Sequence, residues 1–90
     1  VVVSRAAEGA LFITRGAVVN AEPPELRQVG STAGAGDAMV AGIVAARILE
    51  HDLANTARLA TAFSAAVLDR REPGSPSREA IEALARAVAL

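Results

Sequence analysis

The sequence contains no cysteine, tryptophan, tyrosine or lysine, and its two phenylalanines are its only aromatic residues. Without cysteine there is no disulfide and no thiolate metal site. Without lysine there is no Walker A loop, which needs a glycine, four residues and then Gly-Lys. Net positive charge is missing too: nine basic groups, all Arg, stand against ten acidic ones, for a formal charge of -1. Nucleic-acid binding is therefore disfavoured, because no excess charge releases counterions and no aromatic platform stacks bases. The longest apolar run, residues 38–46, is nine residues between Asp37 and Arg47, whereas a bilayer span needs ~20. No signal-peptide series opens the chain, and a cytoplasmic setting is expected.

The 90 residues are 52% hydrophobic and 21% charged, a globular composition and the size of one small domain. Alanine (22) and valine (10) dominate the apolar set, so the core is expected to pack backbones closely, as helices on a sheet do. The only methionine is Met39, and the chain opens on Val1-Val2-Val3, a pattern typical of a buried strand. These features suggest part of a longer domain.

Strands are expected over residues 1–4, 11–14 and 18–22, the last two paired as a hairpin about Arg15-Gly16. Pro23-Pro24 closes this region, since neither proline can donate to a ladder. A helix is expected over residues 37–50, with Val40, Ile43, Val44 and Ile48 as its apolar face and Met39 widening it. Gly42 inside it costs roughly 1 kcal/mol relative to Ala, which suggests close packing on a neighbouring strand. Asp52 caps a second helix carrying Thr56, Leu59, Ala60, Phe63 and Val67. Ser75 or Ser77 caps a third with Ile81, Leu84 and Val88 on one side, Pro76 sitting just inside its start.

The segment with chemical content is Gly34-Ala35-Gly36-Asp37, between a polar loop and the first helix. Amides at a helix start have no intrahelical acceptors and lie at the positive end of the dipole, so they suit a phosphate or a transferring phosphoryl group. Asp37 adds a carboxylate that can take a proton from a substrate hydroxyl. The plainer account is a glycine turn whose first-turn Asp complements the dipole. A dinucleotide fingerprint counted from Gly34 fails, because Met39 occupies its last glycine position. His51 reads as a helix-end residue and Arg70-Arg71 as a solvated helix end.

Ser31-Thr32 before this tetrapeptide and Ala38-Met39-Val40-Ala41-Gly42 after it resemble the signature of the ribokinase-like (PfkB-type) carbohydrate kinases. The resemblance extends through Val1-Val2-Val3-Ser4, Glu8-Gly9-Ala10-Leu11, Pro23-Pro24, and Arg58-Leu59-Ala60-Thr61-Ala62 with Gly74. It implies an α/β chain forming the C-terminal portion of a Rossmann-like three-layer kinase domain, with short strands and a hairpin followed by three helices. It further implies use of ATP and Mg2+ and phosphoryl transfer to a sugar phosphate, fructose 1-phosphate foremost. Tagatose 6-phosphate, fructose 6-phosphate and ribose are the other acceptors it allows.

By the same resemblance Asp37 would be the base, and the Gly34, Ala35 and Gly36 amides the anion hole. Ser4, Arg5, Ala6, Ala7, Glu8 and Gly9 would lie along the nucleotide, although the family's first loop reads Ser-Leu-Gly where this chain has Ser4-Arg5-Ala6. Thr61 and Ala65 would face the adenine side, where Phe63, otherwise a core residue spaced with Leu59 and Val67, could narrow the pocket. Carbonyls near Ser31, Ala33 and Gly74 resemble a monovalent-cation (K+) loop. The sugar pocket would come from elsewhere in the domain, so the 90 residues alone are expected not to turn over, and the whole enzyme could be a homodimer. A non-catalytic α/β module that binds nucleotide or phosphate, or only completes a larger fold, is the alternative.

Overall fold

A computed structural model of the chain describes residues 1–4, 9–23, 34–68 and 77–90. Three strands, β1 (Val2–Ser4), β2 (Ala10–Thr14) and β3 (Ala17–Ala21), form an antiparallel sheet of order β1-β2-β3. Three helices follow: α1 (Ala35–Ile48), α2 (Leu53–Leu68) and α3 (Arg78–Ala87). The β2–β3 hairpin turns on Arg15-Gly16 as the sequence suggests, bringing Thr14 opposite Ala17 and Ala10 opposite Ala21. Pairing of β1 with β2, Val2 opposite Phe12 and Ser4 opposite Ala10, is an addition to the sequence reading.

Alternation along β2 puts Ala10 and Phe12 on the face beneath α2, where with Ala21, Met39, Ala57, Ala60 and Val88 they form the core. Phe12 is the one large side chain fully buried among the described residues. α2 is the helix that lies over β2 and β3, while α1 runs antiparallel along α2 and reaches the core through Met39 and Ile43. α3 flanks α2 on the other side. The segment after it bridges the residue that follows β3: Glu22 N–H donates to Ala89 O at 2.7 Å and Ala89 N–H to Glu22 O at 3.1 Å.

Gly42 marks the α1–α2 contact. A Cβ built there would stand 2.7 Å from Ala60 Cα and 3.2 Å from both Leu59 O and Phe63 Cβ. The close neighbour is therefore a helix, not the strand the sequence suggested. The apolar face expected on α1 is also corrected: Ile43 is half-buried, but Val40 (60% exposed), Val44 (52%) and Ile48 (76%) point away from the described residues. Of the expected face Met39 is buried and Ile43 half-buried, and they are joined by Gly42 and Ala46, small residues that let α1 approach α2. Phe63 joins neither the core nor a fully buried cluster; it is half-buried and borders the outer groove between the helices.

α1 ends in a Schellman arrangement, with Glu50 N–H donating to Arg47 O and His51 N–H to Ala46 O, and Glu50 itself left-handed at φ 58°. Asp52 caps α2 as expected, its Oδ1 accepting from Asn55 N–H at 2.8 Å. Ser77 caps α3, its Oγ accepting from Ala80 N–H at 3.1 Å. With Ser77 as the cap, the first helical residue is Arg78, so Pro76 precedes the helix rather than opening it; Ser75 and Pro76 themselves lie outside the described residues. Among the described residues no helix is long and apolar enough to cross a membrane.

Candidate functional site

The start of α1 is built on Gly34, which takes φ 86° as N-cap and whose carbonyl accepts from Ala38 N–H at 2.9 Å. That left-handed conformation is open to glycine and costly for a residue with a Cβ. The helix begins at Ala35, two residues earlier than its sequence pattern suggests, so Ala35, Gly36 and Asp37 fill its first three positions. Their amides have no acceptor further back in the helix, and Gly34 has no side chain with which to cap them. What results is a row of donors at the positive end of a 14-residue helix.

Gly36 differs in kind from Gly42. Among the described residues nothing comes within 4 Å of a Cβ built on Gly36, so no packing contact requires a glycine there. Glycine in a helix is costly without a neighbour that needs the room, and the space in front of Gly36 is open to close approach by another group. Asp37 is exposed in the same first turn, free to meet a substrate hydroxyl.

α2 brings its second half to this end of α1: a Cβ on Gly34 would stand 3.9 Å from Val67 Cγ1. Thr61 and Ala65 lie one turn apart on α2, 3% and 1% exposed. The Thr61 Oγ1 is buried with no hydrogen-bond partner, a state that costs of order 1–3 kcal/mol unless something bonds it. Sequence inspection could place Thr61 on the helix but could not show that its hydroxyl is orphaned.

Ser4 and Gly9 stand at the adjoining ends of β1 and β2. Gly9 has φ 104°, and a Cβ there would collide with the Ala21 carbonyl and lie 3.2 Å from Glu22 Cα. Its glycine is thus accounted for by the approach of β3, whatever else it does. Arg5, Ala6, Ala7, Glu8, Ser31, Ala33, Arg70, Arg71 and Gly74 lie outside the described residues. Of the residues singled out from sequence, the structure therefore groups Gly34, Ala35, Gly36 and Asp37 at one helix start, with Thr61 and Ala65 on the helix beside it. His51 sits far from them at the other end of α1, bordering the outer groove with Asn55 and Arg58. Among the described residues no three His, Asp or Glu side chains converge on a metal position.

Comparison with known proteins identifies the family and the fold. Residues 1–80 match the pfkB family carbohydrate kinases. The 1-phosphofructokinase of Rhodobacter capsulatus is 50% identical over 88 residues, covering 98% of this chain and 28% of that protein. That of Xanthomonas campestris pv. campestris is 45% identical, covering 100% and 28%. Among solved structures, phosphofructokinase-2 from Escherichia coli in complex with potassium superposes with a TM-score of 0.81 at 25% identity, over 94% of this chain and 27% of that one. The same enzyme with substrates and products gives 0.77 at 29%, over 94% and 27%. The chain thus spans a little over a quarter of the length of these relatives. With a family match over residues 1–80 and the glycine-capped helix start in place, the chain belongs to the pfkB family of carbohydrate kinases.

Proposed function

We propose that residues 1–90 form the nucleotide and catalytic-base side of a single cytoplasmic carbohydrate-kinase domain, as its C-terminal portion. The domain would transfer the γ-phosphoryl group of ATP to the 6-hydroxyl of fructose 1-phosphate. The observation that carries this reading is Gly36, a helical glycine with open space before it, beside the left-handed Gly34 and a first-turn carboxylate. The 1-phosphofructokinases at 50% and 45% identity support the choice of acceptor.

In this mechanism Asp37 takes the proton from the sugar hydroxyl as its oxygen bonds to the γ-phosphorus and the bond to the β,γ-bridging oxygen breaks, releasing ADP. The amides of Gly34, Ala35 and Gly36 would face the charge gathering on the transferred group, fixed in place before the reaction begins. Thr61 and Ala65 would stand on the adenine side of the site, beneath the surface that the base meets. Ser4, Arg5, Ala6, Ala7, Glu8 and Gly9 run along its phosphates and ribose.

The donor set fits ATP, whereas the described residues offer no cage for Mg2+. The ion would arrive with the phosphates, keep most of its waters and neutralise phosphate charge. Carbonyls near Ser31, Ala33 and Gly74 are the candidate K+ loop, a reading supported by the potassium complex of the Escherichia coli enzyme. A homodimeric whole enzyme belongs to the same reading, and the tetrameric form of that enzyme shows that family members assemble.

The test is a hybrid in which these 90 residues replace the matched segment of the Rhodobacter capsulatus 1-phosphofructokinase. ADP release is followed with fructose 1-phosphate, fructose 6-phosphate, tagatose 6-phosphate and ribose. Activity is expected with fructose 1-phosphate and should fall ~100-fold or more in Asp37→Asn. Full activity in Asp37→Asn would remove the proposed base, and an inactive but folded hybrid that still binds ADP would favour a non-catalytic module. The 90-residue chain alone should show no turnover.

A further inference from the structure

The helix layer carries a groove on the face turned away from the sheet. Along α2, Asn55, Leu59 and Phe63 each stand two residues before Ala57, Thr61 and Ala65, which are buried. Two residues turn a helix through about 200°, so the first set occupies the face opposite the second and forms the floor of the groove. α1 supplies one wall with Ala45 and Leu49, and α3 the other with Arg78, Ile81, Ala85 and Arg86. Its volume is about 1240 Å³, more than the roughly 300–1,000 Å³ of a small-molecule pocket. None of its lining residues belongs to the catalytic machinery proposed above.

The floor is apolar and the rim is basic. Leu59, Phe63, Ile81 and Ala85 are half-buried, and Leu49 is 61% exposed. α3 buries no residue, although Ile81 and Ala85 lie one turn apart on this face. Three arginines, Arg58, Arg78 and Arg86, stand around the floor against one carboxylate, Glu82. Glu82 is taken by Arg78, whose Nε donates to Oε1 at 3.1 Å. Arg58 donates to the neutral Asn55 Oδ1 at 3.2 Å, and among the described residues no carboxylate pairs with Arg86. The chain as a whole carries a charge of -1, so the positive excess belongs to this groove rather than to the chain.

An apolar centre inside a polar rim, with arginine and an aromatic ring among its members, is the make-up of a protein–protein contact. The wall from Arg78 to Arg86 runs eight residues, about 12 Å or two helical turns, and a helix laid along it presents anchors at i, i+3 or i+4, and i+7. We infer that the groove docks an acidic amphipathic helix of a partner protein, its apolar side chains on Leu59, Phe63 and Ile81 and its carboxylates on Arg58 and Arg86. Charge complementarity selects this occupant. A basic helix would meet two arginines that no carboxylate neutralises, and a second copy related by a two-fold axis through the groove would bring the same basic face against itself. The inference does not rest on the proposed kinase reaction.

The probe is a fluorescein-labelled synthetic helix of about 15 residues, a length at which isolated helices begin to hold, with leucines along one side and glutamates flanking them. A matched peptide carries lysine in place of glutamate. Fluorescence anisotropy follows titration with the 90-residue chain and with the hybrid. Both proteins are expected to bind the acidic peptide at least ~10-fold more tightly than the lysine peptide in low salt, with the difference shrinking as salt is raised. The double variant Arg58→Glu/Arg86→Glu should reverse the preference, and its binding of the lysine peptide separates a lost contact from a lost fold. Should that variant not fold, Arg86→Gln carries the test, with acidic-peptide binding weakened ~3-fold. No binding, equal affinity for the two peptides, an unchanged preference in a folded variant, or binding to the 90-residue chain that disappears in the folded hybrid would overturn the inference. So would displacement of the peptide by inorganic phosphate or ADP, since a small anion would then be the occupant. None of these readouts depends on kinase activity.

Discussion

Replacing Gly42 with alanine sets two calculable effects against each other. Alanine in a helix interior is favoured over glycine by about 1 kcal/mol. Against this, the new methyl carbon would stand 2.7 Å from Ala60 Cα, with Leu59 O and Phe63 Cβ at 3.2 Å, where carbon atoms prefer about 3.5–4.0 Å. The 2.7 Å neighbour is backbone, so no rotamer change relieves it. α1 and α2 must part by about 1 Å at their closest point, loosening the Met39 and Ala46 packing on either side. Overpacking of this kind costs about 1–3 kcal/mol. The net loss is expected to be up to ~2 kcal/mol, a fall in melting temperature of up to roughly 16 °C for a domain of this size. Thermal unfolding followed by far-UV circular dichroism reads it in both the 90-residue chain and the hybrid. Gly36→Ala, in the same helix with no neighbour within 4 Å among the described residues, is the internal control. It should raise stability by up to ~1 kcal/mol. If Gly42→Ala is stabilising as well, the two helices do not approach as described and the reasoning fails.

Four further outcomes follow from other positions. The stabilising Gly36→Ala should also weaken ADP binding by titration calorimetry; undiminished binding would show that no ligand uses the space in front of that residue. Glu50→Gly should add about 0.5–1 kcal/mol in urea unfolding, because relief of the left-handed conformation outweighs the entropy glycine adds to the unfolded chain; a loss of stability would mean the Glu50 side chain holds the turn. Thr61→Val should stabilise the nucleotide-free protein by ~1 kcal/mol, since it removes an unbonded buried hydroxyl while keeping its shape; a lower melting temperature would reveal a partner for that group. Ser77→Ala should cost ~1 kcal/mol of local stability, seen as faster amide exchange in the first turn of α3 with little change in α2.

The local signals were strong where the chemistry is short-range. The hairpin about Arg15-Gly16 and the Asp52 cap depend on neighbours a few residues away, and each reappears in the structure; the repeat expected on α2 does not, because its buried face is Ala57, Ala60, Thr61, Ala62 and Ala65. The helix start at Gly34-Ala35-Gly36-Asp37 was legible to within two residues for the same reason, since a small-residue run before a helix defines its own donors. What could not be read was which partner each face meets. Val40, Val44 and Ile48 have the spacing of a buried stripe, yet the described residues leave them exposed, because periodicity reports that a face is apolar and not what covers it. Gly42 announced a close approach without saying whether a strand or a helix stood opposite. The pairing of β1 to β2 and the orphaned Thr61 hydroxyl arise only once distant segments meet.

The contact between α1 and α2 is made largely of groups without side-chain torsions: Gly42, Ala46, Ala57 and Ala60 meet or bury there, and Ala62 and Ala65 are also enclosed. Such residues give up almost no rotamer entropy on folding, and they leave nothing that can swing aside to absorb a displacement. The two helices consequently behave as one stiff unit, with tolerated replacements confined to the smallest side chains. In the proposed site, with the donor row opening α1 and Thr61 and Ala65 on α2, the spacing between phosphate and base subsites would be set by backbone against backbone, a ruler of fixed length rather than an adjustable grip.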